Sequence, residues 1–100
     1  MAKLYVTEFV GADEKTNVLV PAPKTAGLTQ QTPVTISGTS AQSAAFAAGT
    51  SLIRVHTDAI CSIAFGDNPT ATTNNLRMSA DQTEYFAVVP GSKIAVISNT

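Results

Sequence analysis

The chain is expected to be all-β, a sandwich or a barrel, and three observations predict it. Short runs rich in Val, Ile, Thr and aromatic residues recur about every 8–12 residues, the spacing of such folds. Gly, Pro, Asn and Asp fall between the runs, where turns need them. No long window carries a convincing helical period. About eight or nine short strands result, within one domain of 100 residues.

Residues 3–10 (KLYVTEFV) alternate, with Leu4, Val6 and Glu8 on one face and Tyr5, Thr7 and Phe9 on the other. Both faces are partly apolar, so this strand expects cover on both sides. Residues 11–15 form a turn rich in Gly, Asp and Glu, and 16–20 a second strand ended by Pro21. Residues 21–33 (PAPKTAGLTQQTP) contain two prolines within three residues at their start. Such backbone stays extended, so the segment is expected to be a loop or an arm. Together with the first strand it can form an N-terminal arm that reaches a neighbouring subunit.

Residues 33–38 carry Val34 and Ile36 on one face of a short strand. Residues 40–49 allow two readings. Thr39 and Gln42 have capping-box spacing with Gly49 as a helix stop, but Ala44, Phe46 and Ala48 alternate, and extended backbone is expected. Residues 51–57 (SLIRVHT) are a strong strand with Ile53, Val55 and Thr57 on one face. Asp58-Ala59 links it to 60–66 (ICSIAFG), and a hairpin is expected there. Cys61, Ile63 and Phe65 share a face read as core. Residues 67–75 (DNPTATTNN) form a loop, 76–79 a short strand and 80–82 a turn. Residues 83–89 (TEYFAVV) are apolar on both faces. Pro90-Gly91 suits a type II turn before the last strand, 93–98.

The net charge is −1, and the six Lys and Arg are scattered, so no basic footprint for nucleic acid exists. Charged residues make up 13%, against about 25% in ordinary soluble domains. Thr, Ser, Asn and Gln supply the polarity instead. Such a surface is poorly protected against association, so self-association and extensive cover by partners are expected. No apolar run approaches the ~18 residues of a spanning helix. Residues 1–15 lack an apolar signal core, so no secretory leader is expected. The lone Cys61 allows no intrachain disulfide.

No residue set for catalysis stands out. His56 is the only histidine, and only Asp58 lies near it in sequence. It is read as a surface or interface residue, with no metal or cofactor expected. Cys61 is read as a buried, inert thiol. The acids Asp13, Glu14 and Asp67 fall in separate turns without the spacing of a calcium loop. Phe65, Tyr85, Phe86, Val88, Tyr5 and Phe9 are the candidates for structural or interface contacts.

The runs IAFGDNPTAT at 63–72 and GSKIAVI at 91–97 resemble the ending of a group of small tailed-bacteriophage virion proteins. The resemblance covers about residues 37–100 and is densest at 51–58, 60–72 and 90–97. It implies a compact β-sandwich of jelly-roll type and a non-catalytic capsid decoration or cement protein, made in the host cytoplasm and carried in the virion. The implied partners are the major capsid protein or other virion subunits and further copies of the chain. No nucleic acid or membrane is implied, and no catalytic residue is carried over. Two other roles fit the residues: a tail, head–tail joining or fiber-associated module, and a carbohydrate-binding sandwich. The absence of Trp weighs against the sugar site.

Overall fold

In the computed structural model, which describes residues 2–10 and 28–99, the described residues form nine strands in two antiparallel sheets. The first sheet is built on β1 (Lys3–Val10) and β5 (Thr50–Thr57), which pair from Leu4↔Thr57 to Val10↔Thr50. The other side of β1 carries β2 (Leu28–Gln30) and β3 (Val34–Thr35), one strand in two pieces. β8 (Thr83–Ala87) pairs with the free side of β5. The second sheet runs in the order β4 (Ala41–Gln42), β9 (Lys93–Ser98), β6 (Cys61–Gly66) and β7 (Leu76–Met78).

This order is a jelly roll with one rearrangement. In a jelly roll of eight strands, the first lies beside the last, the last beside the third and the third beside the sixth. The second, seventh, fourth and fifth make the other sheet. Counting β2 and β3 together as the first strand reproduces both sheets, and β1 then fills the slot of the last strand. Lys3 and Asn99 are accordingly both bonded to the corner between β5 and β6. Asp58 N–H donates to the Lys3 carbonyl at 3.1 Å, and Asn99 N–H donates to the Ile60 carbonyl at 3.2 Å.

The core lies between the sheets. Leu4, Val6, Val34, Ile36, Phe46, Ile53 and Val55 meet Cys61, Ile63, Met78, Ile94 and Val96. Those within strands follow the alternation of their strand, because successive side chains point to opposite faces, while Ile36 and Phe46 enter the core from irregular backbone. Burying one such aliphatic side chain contributes about 1.5–3 kcal/mol.

The centre of the second sheet's outward face, Ser62, Ala64, Ala95 and Ile97, is small or apolar as well, and the chain itself covers part of it. Ser62 and Ala95 lie on that face yet are fully buried. The loop of residues 67–75 is tied across it. The Gln42 amide donates to Asn68 Oδ1 and to the Pro69 carbonyl, both at 2.8 Å, and Ala71 N–H donates to Ser40 Oγ at 2.8 Å. Asn99 Nδ2 donates to Ser62 Oγ and to the Thr73 carbonyl. Pro69 and Ala71 are buried in consequence.

Several expectations need correction. The Asp58-Ala59 link is not a hairpin, because β5 and β6 belong to different sheets. A two-residue hairpin needs residues that accept positive φ, and neither of these adopts it. The buried Thr57 closes the corner instead, its hydroxyl donating to the Ala59 carbonyl at 2.6 Å and accepting from Ala59 N–H. The first strand is no detached arm. β1 is an interior strand of its sheet, with Leu4 and Val6 wholly buried. Residues 28–30, expected within the loop or arm, are strand. Of 33–38 only Val34–Thr35 pair, and 40–49 contain the short β4 followed by irregular backbone without helix. The turn at 11–15, the strand at 16–20 and the proline-rich start of 21–33 lie outside the described residues.

Phe65 also departs from its expected place. It follows Cys61 and Ile63 on the inward face but is 40% exposed. The cause is the shortness of β7, which pairs only with Cys61, Ser62 and Ile63. Beyond that point β6 is paired on one side alone among the described residues, which leaves Phe65 partly open to solvent although it packs on the Phe86 ring of β8, at a centroid distance of 5.1 Å. The Pro90-Gly91 turn, by contrast, forms as expected. Gly91 has φ 87°, and Ser92 N–H donates to the Val89 carbonyl at 3.1 Å.

Candidate functional site

The edge strands β7 and β8 end their sheets on the same flank, since only residues 79–82 join them. This flank holds the large exposed apolar side chains among the described residues: Phe65, Leu76, Tyr85 and Val89. Leu76 opens β7 opposite Ile63. Phe86 and Val88 point inward and pack partly on the core. Tyr85 points outward and stacks on Phe9, with centroids 6.4 Å apart. Phe9 is itself buried on that outward face, and Tyr5 lies half-buried farther along it, against the His56 ring at 6.3 Å.

Phe65, Gly66, Ala87, Val88 and Val89 line an open cleft of about 290 Å³. That is at the bottom of the range for small-molecule pockets, about 300–1,000 Å³. Its chemistry suits an apolar side chain of a partner better than a substrate: the only ionisable lining group is Asp67. All six contact candidates are therefore placed, with Phe65, Phe86 and Val88 gathered here, Tyr85 and Phe9 around the edge, and Tyr5 apart from them.

The titratable groups take other positions. Cys61 is fully buried between the sheets. Burial pushes its thiol up, only partly offset by its contact with Thr57 Oγ1 at 3.5 Å. Glu8, at the inward end of β1, is buried too. Its carboxylate accepts hydrogen bonds from Gln31 Nε2 at 2.9 Å, Ala47 N–H at 2.8 Å and the Thr50 hydroxyl at 2.7 Å. Burial alone would raise its pKa, but the donors from Ala47, Thr50 and Gln31 outweigh it and hold the group below its ordinary value. Glu8 thus ties β1 to the segment after β2 and to the irregular 43–49 stretch that leads into β5. The sequence placed it on the Leu4 and Val6 face, and the three donors appear only in the folded chain.

His56 sits near the far end of β5, with Thr83 Oγ1 2.8 Å from its Nδ1. Asp58 follows in the corner, and the turn before β8 adds Asp81, so that one ligating atom from each of the three lies within 4.8 Å of the others. Asp81 stands 25 positions from His56 in sequence, which is why no reading of spacing could find it. Among the described residues Asp67 lies elsewhere, on the loop after β6; Asp13 and Glu14 lie outside them.

Comparison with protein families, with curated proteins and with solved structures finds no match to this chain.

Proposed function

We propose that this chain is a non-catalytic structural subunit of a tailed-phage virion, a decoration or cement protein that strengthens contacts between major capsid subunits. The observation that carries the reading is the β7/β8 flank, where Phe65, Leu76, Tyr85 and Val89 remain exposed beside two sheet edges that have no partner among the described residues. Exposed apolar side chains at an edge are costly for a monomer and suited to an interface. The resemblance of 63–72 and 91–97 to phage virion proteins supplies the kind of partner. The flank offers two means of attachment: backbone groups of the edges can pair with a partner strand, and the Phe65 cleft can take an apolar side chain. Each contact is modest, but a subunit touching several capsid proteins gains from multivalency.

The test is the copy number of the chain in purified virions. Hundreds of copies are expected; about a dozen or fewer would assign it to the tail or portal vertex instead. A Phe65→Ala, Val89→Asp variant should fold, because both side chains are substantially exposed. It is expected to lose at most about 2 kcal/mol of stability and to bind particles lacking the protein at least about tenfold more weakly. Full binding by that variant would remove the flank from the interface.

A further inference from the structure

The structure assigns a divalent transition-metal site, of which zinc is the best match, to His56, Asp58 and Asp81. The inference stands on this chain alone and does not depend on the virion role. One ligating atom from each residue lies within 4.8 Å of the other two. Tetrahedral zinc, with bonds of about 2.0–2.2 Å, needs ligands about 3.4 Å apart. Both aspartates are exposed, so a small rotamer change closes the gap.

The backbone holds the three residues together before any ion arrives. Asp81 N–H donates to the Thr57 carbonyl at 2.8 Å, and Thr57 N–H donates to the Gln82 carbonyl at 3.2 Å. These bonds fasten the turn before β8 to the end of β5, between His56 and Asp58. The imidazole is oriented by Thr83 Oγ1 at 2.8 Å from Nδ1 and by the Tyr5 ring. Ligating histidines are commonly steadied by such a second contact. Asp58 is steadied as well, its Oδ2 accepting from Lys3 N–H at 3.2 Å.

The donor chemistry selects the class of ion. Two carboxylates alone would suit calcium or magnesium, but an imidazole nitrogen in the set favours zinc and its neighbours. Two like charges have been brought together in a chain with only seven acids. Lys3, which touches Asp58 through its backbone, turns its ammonium to the Thr35 hydroxyl at 2.9 Å. A bound cation would offset that repulsion. The fourth tetrahedral position is left to water.

The experiment uses the full, untagged chain and zinc ion alone, followed by calorimetry and by the nitrogen resonances of the imidazole. His56 is the only histidine, so those signals are unambiguous. One zinc per chain is expected, saturating below about 100 μM, with a shift of one ring nitrogen. Asp81→Asn is the decisive variant, because asparagine tolerates the φ of 59° found there and removes only the charge. It and Asp58→Asn should each weaken binding at least about tenfold with unchanged melting temperature, and calcium should bind at least about tenfold more weakly than zinc. The assignment is overturned by absence of saturation at that concentration, by unmoved imidazole signals, by wild-type affinity in Asp81→Asn, or by equal affinity for calcium.

Discussion

Replacing Glu8 with alanine removes the acceptor of three donors at once: Gln31 Nε2, Ala47 N–H and the Thr50 hydroxyl. Hydrogen bonds to a charged group contribute about 1.5–3 kcal/mol each, and a buried donor left unpaired costs about 1–3 kcal/mol. The desolvation of the carboxylate, which the wild type bears and the variant escapes, offsets part of that sum. Water entering the vacated space satisfies another part. A net loss of about 3–5 kcal/mol results, the range found when one partner of a buried charged network is removed. Against a total stability of about 5–15 kcal/mol, this variant approaches the unfolding threshold.

Glu8→Gln is the gentler test. It keeps one carbonyl acceptor but turns an NH₂ toward a donor, and about 2 kcal/mol is expected. The two variants also separate charge from packing through pH. The folded-state pKa of Glu8 lies below its unfolded value of 4.5. The contribution of the ionised group is therefore complete above that value and is lost as pH falls through the folded pKa. The stability gap between wild type and Glu8→Gln should accordingly be widest near neutrality and shrink in acid. Denaturant unfolding at pH 7 and at pH 3 measures both quantities. A Glu8→Ala protein within about 1 kcal/mol of wild type, or a gap independent of pH, would refute the reasoning.

Three other outcomes follow from the fold. A chain beginning at about Thr32 lacks β1 and is expected not to fold cooperatively. A circular permutant starting at Gly11 and ending at Val10, with Thr100 joined to Met1 through about eight Gly/Ser residues, is expected to fold, because such a linker spans about 15 Å and both ends are bonded close to the Asp58–Ile60 corner; circular dichroism and thermal melting distinguish the cases, and a folded truncation or an unfolded permutant would contradict the strand assignment. The Cys61 thiol, buried and pushed up in pKa, should resist a thiol reagent in the native protein and react promptly in denaturant; fast native labelling would show that β6 does not face the core as described.

The local devices were legible from residues alone. The alternation of Leu4 and Val6 with Tyr5, and of Ile53 and Val55 with Arg54, follows from the period of two in a strand, so it announces both the strand and its buried face. Pro90-Gly91 was equally plain, because the turn asks for a fixed φ and then a positive one. The all-β class rests on such signals repeated along the chain. What each strand pairs with is not written locally, because hydrogen-bonded ladders are made by backbone groups that every residue except proline carries. Asp58-Ala59 therefore read as a hairpin link when it is a corner between sheets, and β1 read as a possible arm when it lies between β2 and β5. The exposure of Phe65 depends on where β7 stops. The donors around Glu8 come from residues as distant as Thr50, and Asp81 reaches His56 only through backbone bonds that staple a turn to the end of β5. Alternation and turn chemistry act over a few neighbouring residues and survive in the sequence; pairing, edge exposure and clustered side chains arise from contacts across tens of residues and exist only once the chain has folded.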